Sequence, residues 1–218
     1  MRQRLVQLFA VLLTITGTAN IASADDNGSY EVKITNLTRG SVFTPALVLT
    51  SEKGLSIYSE GEAASDELAQ LAEGGATQPL LDALTATGKV KSSASSGLIF
   101  PGKTVTVNIA MDDDAKRISF ASMILPTNDG FIAANALKAP KKGKSLVVYM
   151  KALDAGSEMN DESCLNIPGP HCGGEGYNAA TGEGYVHVHS GIHGDGDLST
   201  AAYDWRNPVA KVTITRIK

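Results

Sequence analysis

The sequence predicts an all-β fold, an antiparallel β-sandwich of about eight strands with a short helical insertion. Three observations predict it. Short segments in which apolar and polar residues alternate recur along the chain. Helical spacing is confined to residues 65–88. The connections are dense in glycine, proline, asparagine and aspartate, which turn a chain sharply.

In chain order, residues 1–24 read as an export signal. Arg2 and Arg4 form a positive start, 5–15 is mostly apolar, and Ala22-Ser23-Ala24 fits small-x-small cleavage before Asp25. The apolar run is shorter than the roughly 20 residues that cross a bilayer, and no later run reaches that length. The mature chain, 25–218, is therefore expected to be one secreted or periplasmic domain without a transmembrane segment. The whole chain carries a net charge of −4, and both leader arginines would leave with the signal. An acidic surface of this kind argues against nucleic acid as a partner. The two cysteines, Cys164 and Cys172, share one Pro/Gly-rich stretch. Outside the cell that spacing favours a local disulfide, while a metal site with His171 would have too few thiols for structural zinc.

Residues 30–35 alternate, with Tyr30, Val32 and Ile34 on one face, as a half-buried strand requires. A second strand is expected over 43–50, with Pro45 placing its start at an edge or bulge. Between 65 and 88 the period changes. Ser65 is positioned to cap a helix with Asp66 and Glu67 in its first turn, a stripe of Leu68, Leu71 and Ala72, and Gly74-Gly75 as its stop. A second helix follows, with Pro79 near its start, Leu80, Leu81 and Leu84 on one stripe, and Gly88 at its end. The serine-rich 91–97 reads as a loop. Residues 104–111 alternate again, and Asp112, Asp113 and Asp114 form an acidic, solvated turn.

Residues 118–125 are an apolar run that reads as the central buried strand, and Pro126-Thr127-Asn128-Asp129-Gly130 as a tight turn at its end. A further apolar strand is expected at 146–150, an irregular stretch at 162–184, and a strand at 185–189 whose alternation separates two valines from two histidines. Residues 209–217 close the chain, with Ala210, Val212 and Ile214 on one face. The single tryptophan, Trp205, is expected to cap the core rather than anchor a ligand.

Asp129 follows the central strand, while Asp154 and Glu158 follow the 146–150 strand, four residues apart across a glycine turn. Should the two strands be neighbours running the same way, the three carboxylates converge. Calcium takes six to eight oxygen ligands, which loops at one end of a sandwich are able to supply.

At these residues the chain resembles the spondin amino-terminal domain of F-spondin, in which a Pro-x-x-Asp turn and an Asp-Ala-Gly-Thr-Asp segment recur. The matching blocks are SMILPTNDGF, LDAGSE and RNPVAKVTITRI. This resemblance implies an eight-stranded antiparallel sandwich carrying one calcium ion on Asp129, Asp154 and Glu158, with backbone carbonyls near Ala155 or Gly156 completing the shell. Asn160 and Asp161 are spare oxygen donors by proximity alone. Glu158 departs from the family pattern, where Asp usually stands, and this alters the bite of the site. The chain is similar to stand-alone bacterial versions of the module.

A second constellation is His187, His189 and His193 in YVHVHSGIHG, a set suited to zinc or copper. Glu183 and Asp195 flank it as supporting carboxylates or a base. Histidines on the outward face of a strand whose valines fill the core are the plainer alternative. Neither Gly-x-Ser-x-Gly nor His-Glu-x-x-His occurs. The expected function is a non-catalytic, exported calcium-binding module for adhesion or ligand binding, its partner a protein, glycan or lipid headgroup. The alternative is a zinc or copper protein, metalloenzyme or metal carrier, built on the three histidines.

Overall fold

Why the chain layers as it does follows from which strands have one apolar face and which have two. A computed structural model describes residues 28–112, 114–178 and 181–218. The export-signal segment and Asp113 lie outside the described residues.

The described chain begins with β1 (Gly28–Asn36), β2 (Val42–Phe43) and β3 (Leu47–Ser51), then α1 (Asp66–Gly74) and α2 (Thr77–Ala86). It continues with β4 (Val90–Ser95), β5 (Thr104–Met111), β6 (Arg117–Leu125), β7 (Gly130–Lys138), β8 (Ser145–Met150) and β9 (Leu153–Asp154). Last come α3 (Gly169–Cys172), β10 (His187–Val188), α4 (Thr200–Tyr203) and β11 (Ala210–Arg216).

Two antiparallel sheets form the sandwich. One has four strands in the order β5-β1-β11-β8; the other runs β10-β9-β7-β6-β3-β4, with β2 paired to β6. Between them lies a core that includes Val32, Ile34, Phe43, Phe120, Ile132, Val212 and Ile214. The second sheet is also covered on its outer face, where Leu68, Leu71, Leu80 and Leu84 of the two helices pack on Leu47, Leu49, Phe131 and Leu153. This third layer explains the sequence of β3 and β6. Both are buried on each face, so they read as continuous apolar runs rather than alternating ones.

Most of the expected local chemistry is present. The Ser65 hydroxyl accepts the Leu68 N–H at 3.3 Å, and Gly75 stops α1 in the left-handed region at φ 70°. Around Pro45 the second expected strand breaks into β2 and β3, its two halves pairing with different stretches of β6. Cys164 and Cys172 form the expected disulfide.

Four readings are corrected. The serine-rich stretch is a strand, β4, pairing with β3 from Leu47↔Ser95 to Ser51↔Val90. Its residues alternate in exposure as an edge strand does, so pairing prevailed over weak strand propensity. A full strand, β7, follows the 126–130 turn where none was expected. β8 is an edge strand with Val147 and Tyr149 exposed, not an interior one, and it lies in the opposite sheet from β6. The 185–189 strand shortens to two residues, and its valines do not share a face in the core: Val186 is buried and Val188 is 47% exposed.

Candidate functional site

Asp129 and Asp154 lie within electrostatic reach of each other, although not by the route expected from sequence. The strands β6 and β8 that precede them belong to different sheets. The chain leaves β8, crosses to the other sheet and adds β9 beside β7, in the register Gly130↔Asp154 and Phe131↔Leu153. One β-ladder step thus sets Asp154 opposite the glycine that follows Asp129, and β10 continues the ladder with His187↔Asp154. Gly130 is required here: a Cβ would come within 2.6 Å of Thr127 Oγ1 and 3.0 Å of His189 Cδ2. Gly156 is required too, with φ at 64° and the Tyr185 carbonyl oxygen 2.3 Å from where a Cβ would stand.

Both aspartates are buried and fixed from one side. Asp129 Oδ2 accepts the backbone N–H of Ser157 at 2.8 Å and that of Glu158 at 3.1 Å. Asp154 Oδ1 accepts the Gly156 N–H at 2.8 Å, and its Oδ2 accepts Asn160 Nδ2 at 2.6 Å. The other oxygen of Asp129, Oδ1, is buried without a hydrogen-bond partner. Burial, and then the negative charge of Asp154, push the Asp129 carboxyl up to about 8. Among the described residues, no lysine or arginine forms an ion pair with either aspartate.

Glu158 is placed differently. Its backbone serves Asp129, but its carboxylate is turned aside: Oε1 accepts Asn178 Nδ2 at 2.7 Å, and Oε2 is buried without a partner. Glu73, at the end of α1, accepts the Asn178 backbone N–H at 3.1 Å and also has an unpartnered buried oxygen. Burial, with the nearby Glu73 charge, pushes Glu158 up to about 7. Asp129, Asp154 and Glu158 are not among the sets whose ligand atoms all fall within 4.8 Å of one another in the described residues. Asn160 bonds Asp154 through its amide nitrogen, and Asp161 is occupied by Asn128, Ser163 and Asn166. The Gly156 carbonyl accepts the Gly184 N–H.

The three histidines do not gather at one point. His189 is buried at 4% exposure and packs on Trp205 with ring centroids 5.1 Å apart; Trp205 itself lies in the core, as expected. Its Nδ1 accepts the Gly191 N–H at 3.0 Å, so the neutral ring carries its proton on Nε2, which has no partner. Burial holds its pKa below the usual histidine range. His193 is exposed, in a loop whose N–H groups at His193, Gly194 and Asp195 all donate to Glu162. That fully bonded carboxylate gives 193–195 a structural explanation. His187 instead faces Asp154 and Glu183, with Nε2 3.5 Å from Asp154 Oδ1 and 3.8 Å from Glu183 Oε2. Cys164, His171 and Cys172 also cluster, but the disulfide consumes both sulfurs.

Buried side-chain oxygens and nitrogens without partners number six among the described residues; four belong to Glu73, Asp129, Glu158 and His189. An unsatisfied buried polar atom costs about 1–3 kcal/mol, so this concentration is a local cost to stability. Sequence reading singled out Asp129 and Asp154 but not Glu73 or Asn178. A charge at the inner end of an otherwise apolar helix stripe was a usable signal for Glu73; Asn178 offered none.

Fold and site together define a disulfide-bonded antiparallel β-sandwich with buried, underbonded carboxylates beside the turn between β6 and β7. The chain belongs to the Spondin_N family, whose model matches residues 35–160. The matched span contains Asp129, Asp154 and Glu158; Glu183 and the histidines lie beyond it. No curated protein matches the chain.

Proposed function

We propose that this protein is an exported, non-catalytic module that binds calcium and uses it for adhesion or ligand binding. One observation carries the reading: Asp129 is a buried carboxylate with an unpartnered oxygen, near a second buried carboxylate, and among the described residues no lysine or arginine pairs with either. A hard dication offers what this pair lacks, and oxygen donors are what calcium requires. Asp129 and Asp154 are the principal ligands in this reading. Glu158, from the same loop, joins when its carboxylate leaves Asn178. A bound ion would tie the β6–β7 turn to the loop after β9 and leave positions for an anionic group on a protein, glycan or lipid headgroup. Family membership and the disulfide support the extracellular placement.

Calcium binding to the metal-stripped protein, followed by isothermal titration, tests the reading. One ion per chain is expected, with binding lost in Asp129→Asn and Asp154→Ala and only weakened in Glu158→Gln. Wild-type protein that takes up no calcium would refute it.

A further inference from the structure

Beside the aspartate pair lies a second constellation, with different chemistry. Asp154, Glu183 and His187 bring one ligand atom each to within 4.8 Å of one another. We propose that these three residues form a site for a borderline transition metal of the zinc class, sharing Asp154 with the calcium pocket. This goes beyond the calcium reading and does not depend on it.

Three observations carry the proposal. His187 Nδ1 lies 3.1 Å from the Val188 carbonyl oxygen. Donation there puts the proton on Nδ1, which leaves the Nε2 lone pair directed at the two carboxylates. An imidazole whose second nitrogen bonds a backbone carbonyl is the usual arrangement of a histidine that ligates metal.

The distances are the second observation. Nε2 is 3.5 Å from Asp154 Oδ1 and 3.8 Å from Glu183 Oε2. Charge-assisted hydrogen bonds are shorter, about 2.7–2.9 Å. Two ligands each roughly 2.0–2.1 Å from a tetrahedral zinc stand about 3.4 Å apart, close to the spacing seen here. Two carboxylates and one imidazole leave a fourth tetrahedral position for water or a partner's ligand.

The third observation is rigidity and charge. His187 stands directly opposite Asp154 in the β9–β10 ladder, which fixes their side chains on one face. Glu183 precedes His187 by four residues, across the Gly184 turn at φ 85°. Asp154 is fully buried, and Asp129 adds a further carboxylate with an unpartnered oxygen beside it. Such a setting holds a dication more readily than an isolated surface cluster does.

Cobalt(II), added to tag-free protein stripped with a chelator, provides the test. One equivalent is expected to give the intense visible absorption of four-coordinate cobalt and to be displaced by one equivalent of zinc. His187→Gln and Glu183→Gln should each weaken cobalt and zinc binding by more than about 100-fold, beyond the 10–100-fold that loss of a supporting hydrogen bond costs. Both residues are partly exposed, and unchanged melting temperatures would show the variants folded. Calcium titration separates the two sites: Asp129→Asn should abolish calcium binding and keep the four-coordinate cobalt spectrum at reduced affinity, whereas His187→Gln should abolish that spectrum and keep calcium binding. No tetrahedral cobalt signal, or one that survives both His187→Gln and Glu183→Gln, would overturn the proposal. Either result leaves the calcium reading to stand or fall by its own titration.

Discussion

Asp129 spends one oxygen on two backbone N–H groups and leaves the other without a partner, buried and within electrostatic reach of Asp154. Its carboxyl lies at about 8 when folded, against roughly 3.9 in an unfolded chain. Between those values the folded state binds the extra proton, so stability falls as pH rises through that window. Glu158, pushed up to about 7, acts in the same direction. The cation-free protein should therefore melt higher at pH 5 than at pH 8, a trend read by thermal unfolding in chelator. Asp129→Asn should flatten much of that slope and raise the melting temperature at pH 8, because the neutral amide removes a buried charge. A variant that melts lower at pH 8 would show that Asp129 is stabilised by something other than a cation.

Residue identity was partly legible at this scale. Asp129 and Asp154 stood out because carboxylates at strand ends are easily seen. That Glu158 would turn to Asn178 was not, because the direction of a long side chain depends on a partner 20 residues away.

Among the elements, the loop from β9 to β10 contributes Glu158, Asn178 and Glu183 to the site. The disulfide closes part of it over a separation of 8 residues. Replacing both cysteines by alanine should cost about 2–3 kcal/mol, chiefly through a freer unfolded chain, as denaturant unfolding would measure. The helical layer bears on the site through Glu73. Leu71→Ala, at a fully buried position between α1 and the sheet, should cost about 2–5 kcal/mol. Helix α1 was legible because cap, stripe and stop agreed. Strand β4 was not, since serines in alternation gain strand structure only from their pairing with β3. The two-residue strands β9 and β10 lie below what periodicity detects, yet they set Asp154 against Gly130 and His187.

Over the whole molecule, three layers give the sheet β10-β9-β7-β6-β3-β4 no exposed face along much of its length, while its last strands reach the acidic pocket. The sandwich class followed from alternation and turn chemistry. Its strand order did not, because the crossing from β8 to β9 moves the chain between sheets within a few residues. Rigid layers behind the pocket mean that ion binding registers as a change in global stability rather than as local ordering. The central claim is therefore tested most directly by thermal unfolding of the chelator-stripped wild-type protein across a calcium series. At a hundredfold excess over the dissociation constant, the account predicts a rise of about 5–10 °C, absent in Asp129→Asn. Superimposable wild-type melting curves with and without calcium would contradict it.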